Sequence, residues 1–478
     1  MIENLKPYPE TKDSGLPWLG EVPAHWEIAR GRHLFEIRKR IAGTLGYPVL
    51  SITQQGLRLK DVSRGEGQQS QDYSKYQLVK PGEFAMNSMD LITGGVGIAT
   101  SEGVTSPDYR VFGMRSEDQN DGRFYLLLLR MLYANLAFYS CGQGSAQLGR
   151  WRLPRKRFND FLFPVPPISE QAAIARFLAW ATNRLDRAIG AKRRIIALLQ
   201  EQKQAIIHRA VTRGLDPSVP LKDSGIPWLG EIPEHWDVRR LKHLTEGIQM
   251  GPFGASLTQL QDHDTGFKLY GQENTISGDF SRGNRWVTRE QFAALRRYEL
   301  LPSDLVLTRK GSIGKCKIVP EQASQGIADS DTIRVRLSRS KLLGNFALLL
   351  LQDAIYIQRQ IESVQRGAIL AGLNTATIGN LRLAVPPLSE QQPMLRSIKA
   401  EISDISTAMQ VRSREIDLLC EYRARLIADV VTGKLDVREA AAGLPEEIEP
   451  AIQSNAVGYD GDKVDDDPGS DPIDAEED

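Results

Sequence analysis

From Leu395 onward, apolar side chains recur at alternating intervals of three and four residues. The series runs Leu395, Ile398, Ile402, Ile405, Met409, then Ile416, Leu419, Leu426 and Val430, with Arg412 and Arg423 in the two remaining places. A shift of 220 residues back gives a second series: Ala175, Leu178, Thr182, Leu185, Ile189, Lys192, Ile196, Leu199, Lys203, Ile206 and Ala210. The basic interruptions fall at the same two places in both. A period of about 3.5 residues held over several heptads predicts a coiled-coil seam. The stripe is narrow, which suits one partner helix better than a broad domain face. The competing reading has each helix packed only on its own globular block. The two helices are the natural partners of each other, each about 40 residues and roughly 60 Å long. An antiparallel pair would put the blocks at opposite ends of one rod. Pro166–Pro167 and Pro386–Pro387 end whatever precedes the helices. Ser169 and Ser389 are the predicted N-caps, and Glu170 and Glu390 suit the helix dipole.

The duplication extends well beyond the helices. "KDSGLPWLGEVPAHW" from Lys12 and "KDSGIPWLGEIPEHW" from Lys222 agree at 12 of 15 positions. "KPGEFAMN" from Lys80 aligns with "LPSDLVLT" from Leu301, "FYLLLL" from Phe124 with "FALLLL" from Phe346, and "FPVPPISEQ" from Phe163 with "LAVPPLSEQ" from Leu383. The order is kept, so a whole domain has been duplicated; a solenoid repeat would have a period of roughly 20–50 residues. The chain divides into an N-terminal linker (1–23), a first globular block (24–165), a long helix (166–213), a linker (214–234), a second block (235–385), a second long helix (386–438) and a tail (439–478). Short strand-like runs such as "GEFAMNS", "SDLVLTR" and "DTIRVRL" alternate with helical segments, which predicts a mixed α+β block with a partly antiparallel sheet.

Charge changes this picture. The formal net charge of zero hides a tail in which residues 439–478 carry 14 Asp or Glu against one Lys. With so few large apolar side chains the tail is expected to be disordered, either a solubilising appendage or an acidic decoy for the basic body. Residues 24–165 hold 19 Lys or Arg against 13 Asp or Glu, and residues 235–385 hold 20 against 14, so both blocks are +6. The cations cluster beside Gly, Ser, Gln and aromatic residues. Such loops can hold phosphate oxygens through Lys, Arg and backbone N–H groups and pair Gln, Asn or Arg with base edges.

Enzymatic motifs are missing. "TRKGSIGK" from Thr308 lacks the spacing of a phosphate loop, and neither an [ND]-P-P-[YF] tetrad nor H-E-x-x-H occurs. Three cysteines without CxxC spacing argue against a structural zinc site and fit a reducing cytoplasm. "FYLLLLRMLYANLAFY", interrupted by Arg130 and Asn135, is expected to be a buried helix rather than a membrane span. His25 and His235, with Trp18, Trp26, Trp228 and Trp236, are expected to pack, pinning the chain at the entry to each block.

Two diverged blocks, each opened by "DSG.PWLGE.P.HW" and closed by "VPP.SEQ" and a long helix, resemble the specificity subunit of a type I restriction–modification enzyme. The resemblance covers about residues 8–438 and includes a strand-loop of the form "GD...(T/S)R.G..G", here Ser303 to Gly314. It implies two target recognition domains, each reading one half of a split site in double-stranded DNA. It implies an antiparallel coiled coil that measures the spacer between the half-sites. Two modification (methyltransferase) subunits and two restriction (motor-nuclease) subunits would dock on the chain. S-adenosylmethionine, ATP and Mg2+ would be used by those partners, with no cofactor, metal or catalytic residue on this chain. The DNA-contact role carries over to Arg309, Lys310, Ser312 and Lys315. In the first block the strand-loop is longer and lacks the Arg-Lys pair, so the candidates there are Arg38, Lys39, Arg40, Gln54, Gln55, Arg150, Trp151 and Arg152. Gln249, Gln272 and Asn274 complete the set in the second block. A coiled-coil scaffold whose basic blocks bind RNA or protein remains the alternative.

Overall fold

The computed structural model describes residues 5–62, 70, 72–144, 151–226, 228–252, 266–310, 314–365 and 372–445. The chain forms two units. One comprises residues 1–192 and 414–478, the other residues 193–413. Each long helix therefore changes unit along its length.

Each block is built on a four-stranded antiparallel sheet. In the first, the order is Phe35–Ile37, Arg110–Met114, Phe84–Met86, Val96–Ile98. In the second, it is Thr245–Met250, Thr332–Leu337, Leu305–Thr308, Cys316–Ile318. Three of the central strands, Arg110–Met114, Phe84–Met86 and Leu305–Thr308, are buried throughout, whereas Thr332–Leu337 alternates apolar residues with the half-buried Arg334 and Arg336. One cover in each block is the helix predicted from the Leu-rich run, Gly122–Ala134 and Gly344–Asp353. Phe35, Phe84, Phe112, Phe158 and Phe163 interlock in the first core, with Phe84 and Phe112 stacked at 5.0 Å. The second block adds a further sheet, in which Phe267–Tyr270 runs parallel to Gly326–Ala328.

The long helices span Ile168–Arg213 and Leu388–Val431. They begin one residue before the predicted caps. The amides of Glu170 and Gln171 bond to the carbonyl of Pro167, so Ser169 lies inside the first turn and not at its cap. The helices pair within each unit. In the first, Lys192 meets Glu415 at 2.7 Å and Asp186 meets Arg423, so residue numbers rise on one helix as they fall on the other. That is the antiparallel arrangement. In the second unit Arg209 meets Glu401 at 2.8 Å. Two of the four basic interruptions in the seam, Lys192 and Arg423, are thereby matched by carboxylates of the facing helix.

The seam residues differ in depth. Leu178, Ile189 and Leu426 are buried in the first unit, while Leu185, Ile416 and Leu419 are half-buried. In the second, Ile398 and Ile405 are buried, and Ile196, Leu199, Ile206, Leu395, Ile402 and Met409 are half-buried. Helix ends also enter the block cores. Ile174, Phe177 and Val430 join the first core, and Ile207, Val211 and Met394 the second.

The segments expected to be linkers are hairpins. Thr11–Asp13 pairs with Glu21–Pro23, and Leu221–Asp223 with Glu231–Pro233. Each buries apolar side chains against its unit: Leu19 and Val22 in one, Leu229 and Ile232 in the other. Trp26 and Trp236 are fully buried, and Trp18 stacks on Phe161 at 5.6 Å. Trp228 departs from expectation, since it is 40% exposed whereas Trp236 is fully buried. The ordered chain also runs past residue 439: Arg438–Ala442 is a helical turn with Ala441 buried. The amide of Asp436 bonds to the carbonyl of Lys6 at 2.8 Å, so both terminal segments belong to the first unit. The acidic stretch 446–478 lies outside the described residues.

Candidate nucleic-acid interface

In the first block the hairpin between Phe84–Met86 and Val96–Ile98 closes through residues 87–95. Asn87 Oδ1 accepts from the amides of Met89 and Asp90 at 3.1 and 3.2 Å. Asp90 Oδ1 accepts from the amides of Ile92 and Thr93 at 2.8 and 2.9 Å. These are side-chain-capped turns that fix the loop from within.

Several predicted residues converge on this loop. Gln54 Nε2 donates to the carbonyl of Thr93 at 3.3 Å. Gln55 receives Arg130 Nη2 on its carbonyl at 3.1 Å and the Arg58 guanidinium on its side chain. On the other flank, the Leu91 amide donates to the carbonyl of Trp151 at 3.1 Å. The Trp151 indole stacks on Tyr139 at 5.0 Å and donates to its carbonyl at 2.7 Å. Arg152 pairs through its backbone with Gln143 and leaves its side chain exposed. Beneath them Arg110 donates Nη2 to the carbonyl of Leu153 at 2.7 Å and lies over the Phe158 ring; burial pulls its pKa down to about 10. Arg150 lies outside the described residues.

Arg38 and Arg40 are placed differently. Arg38 Nη1 meets Glu83 Oε1 at 2.8 Å, and Arg40 Nη2 binds the other oxygen of the same buried carboxylate. Burial raises the Glu83 pKa, but hydrogen bonds from Arg38, the Lys80 amide and Arg40 outweigh it and hold the carboxyl below its ordinary value. Both arginines thus hold the sheet together; of the expected trio, Lys39 is the exposed member. The aligned acid of the second block, Asp304, is equally buried and takes a bidentate pair from Arg336 at 2.8 and 2.7 Å. Strand register explains the exchange of partners. Phe84 faces Phe112 and Leu305 faces Val335, so Gly113 occupies the place of Arg336. The Arg38 side chain lies over Gly113, where an added Cβ would sit 2.7 Å from the guanidinium carbon. A longer acid reaches an arginine from the next strand; a shorter one uses an arginine on the adjacent strand. The acid after a Pro-containing turn in both copies ("KPGE", "LPSD") was the sequence signal for this pair.

In the second block the equivalent loop connects Leu305–Thr308 to Cys316–Ile318. Arg309 Nη1 lies 3.9 Å and Lys310 Nζ 3.2 Å from Asp331, and Lys310 is 55% exposed. Thr308 Oγ1 accepts from the Lys315 amide at 3.2 Å. Lys315, Lys317 and Lys203 all lie near Asp353, whose pKa burial raises and these lysines pull back. Ser312 lies outside the described residues. Gln249, at the place of Arg38, donates to the Met250 carbonyl at 2.9 Å, and Gln272 is half-buried at the start of a short helix. Asn274 corrects the expectation. It is 1% exposed, accepts from the Gly271 amide, and donates to the carbonyls of Asp279 and Arg282. Its amide is consumed in holding this turn and cannot reach a base. Burial pushes the Cys316 thiol up to about 12, which removes it as a thiolate nucleophile. Among the described residues no three metal-ligating side chains gather, and no helix is long and apolar enough to cross a membrane.

Matched frames with unlike loops define a class of protein that displays variable surfaces on a repeated scaffold. Residues 233–411 match the type I restriction modification DNA specificity domain, and the chain as a whole resembles type I specificity subunits. It is 21% identical over 445 residues to the putative type I restriction enzyme MjaX specificity subunit of Methanocaldococcus jannaschii, covering 88% of this chain and 96% of that one. It is 24% identical over 289 residues to the MjaVIII specificity subunit of the same organism, covering 59% and 64%. A chain from the solved structures of complex assembly and conformational transition of the type I R-M system shares the fold. Its TM-score is 0.58 at 14% identity, covering 86% of this chain and 98% of that one.

Proposed function

We propose that this chain is the non-catalytic, DNA-reading subunit of a type I restriction–modification complex, each block reading one half of a bipartite site. The observation that carries this reading is one hairpin position used twice with different chemistry. Residues 87–95 contain no cation, whereas 309–315 contain Arg309, Lys310 and Lys315. The frames around them agree strand for strand. Phosphate contacts supply salt-dependent affinity, and side chains at base edges supply choice, worth roughly 1–3 kcal/mol for each good bidentate pair. The paired long helices serve as the ruler between half-sites, so the two engagements add only when the spacer fits. Modification and restriction subunits assemble on this scaffold and carry the S-adenosylmethionine, ATP and Mg2+ chemistry.

The test is co-expression with the cognate modification subunit, followed by mapping of methylated adenines. A two-part motif with a fixed spacer is expected. Absence of any bipartite motif overturns the reading. Stronger binding to RNA than to duplex DNA across a salt titration would favour the scaffold alternative.

A further inference from the structure

We infer that Ile92 is a specificity-determining residue of the first block, making apolar contact with the 5-methyl group of one thymine in the major groove. This rests on the DNA-reading function proposed above.

Ile92 is 51% exposed although it sits in a loop whose polar groups are turned inward. Asp90 spends one carboxylate oxygen on the amides of Ile92 and Thr93 and the other on the Thr93 hydroxyl. The loop is held from both sides at the residues next to Ile92. Leu91 donates its amide to the Trp151 carbonyl, and the Thr93 carbonyl accepts from Gln54. The backbone on either side of Ile92 is therefore fixed, and the outward group is a branched aliphatic chain on a stiff support. A rigid, exposed aliphatic side chain suits a partner surface and loses little entropy on contact.

The surroundings select the partner. Arg58 and Arg152 are exposed on the two flanking segments, where they can meet phosphates. Gln54 keeps its carbonyl oxygen, and Gln55 its amide group, beyond the bonds described above. Amides at the rim and an aliphatic group at the centre match the major-groove edge of A·T pairs, where thymine offers the one methyl group of the duplex. The loop at the same position in the second block carries Arg309, Lys310 and Lys315, so the two loops differ in charge.

The test uses the full chain with its modification subunit on duplexes carrying the mapped motif. Each thymine of both half-sites is replaced singly by deoxyuridine, which removes only the methyl group. For one thymine, wild type should lose affinity roughly threefold to tenfold, about what one buried methyl contact supplies. Ile92→Ala should show no further loss at that thymine, and Ile92→Val an intermediate one, while every other position responds as in wild type. Because the side chain is exposed, both variants keep the fold. If no thymine shows an Ile92-dependent loss, or if Ile92→Ala weakens binding without regard to the methyl group, the proposal is overturned. If no sequence-specific binding occurs at either half-site, the DNA-reading function falls as well; an intact motif without methyl dependence removes this inference alone.

Discussion

The indole N–H of Trp26 donates to the carboxylate of Glu170 at 3.0 Å, a bond that ties the opening motif of the first block to its closing motif. Trp236 and Glu390 repeat it at 3.0 Å. The neighbouring histidines bind the same acids, His25 at 2.8 Å and His235 at 2.7 Å. The two sites differ in one respect. Tyr8 adds a third donor to Glu170, which is 3% exposed, whereas Glu390 is 39% exposed. Removing a buried acceptor strands its donors at about 1–3 kcal/mol. Glu170→Ala should therefore destabilise the first unit by about that amount, and Glu390→Ala the second by less than about 1 kcal/mol. Denaturant unfolding of the two variants compares them directly.

The paired motifs were visible in the sequence, and their meaning as a latch was not. "HW" and "SEQ" lie about 145 residues apart in the first copy, and nothing local to either marks them as partners. The glutamine of the closing motif was equally silent. Gln171 accepts from the Asp121 amide at 2.8 Å and Gln391 from the Leu343 amide at 2.9 Å, each at the start of the Leu-rich helix. Helices and strands were legible because apolar periodicity reports burial directly. Charged loops were not, because Arg38 on an ion pair and Arg38 on a phosphate have the same sequence. Composition therefore pointed to loops at Gln54, Trp151 and Lys310, and it did not reveal that Arg38, Arg40 and Asn274 are spent on holding the frame.

Glu83 should set part of the acid sensitivity of the first unit. Its carboxyl titrates below its ordinary value in the folded chain. The stabilisation it gives is complete above the unfolded value, about 4.5, and is lost as pH falls through the lower folded value. Glu83→Gln should lower stability at pH 7 and flatten the loss as pH falls below about 4.5. An unchanged acid-unfolding slope in the variant would place the sensitivity elsewhere.

Ser303 sits at φ +72°, where its counterpart Gly82 is at +83°. A left-handed conformation costs an L-residue roughly 1–2 kcal/mol, part of which glycine returns through its freer unfolded chain. Ser303→Gly should stabilise the second unit by about 0.5–1 kcal/mol, and Gly82→Ser should destabilise the first by a similar amount. Thermal unfolding of the two variants gives opposite signs.

The ion pair of Lys192 and Glu415 should report helix pairing. Both side chains are about one-third exposed or less, so the pair is screened and contributes modestly. Lys192→Glu puts two carboxylates together and should cost about 1 kcal/mol; adding Glu415→Lys should restore most of it. A double-mutant cycle that shows no coupling would mean that the seam, and not this pair, holds the register.

Lys310 should act on phosphates rather than on bases. Its side chain is more than half exposed, with Asp331 at 3.2 Å as a counter-charge. A lysine is a compact, strongly hydrated point charge on a flexible stem, and an exposed one of this kind suits a phosphate oxygen. Lys310→Ala should weaken binding of matched and mismatched duplexes alike and reduce the slope of log affinity against log salt by about one. Anisotropy titrations between about 50 and 200 mM salt measure that slope. A variant that keeps the wild-type slope but loses preference among half-sites would move Lys310 from the backbone to a base edge.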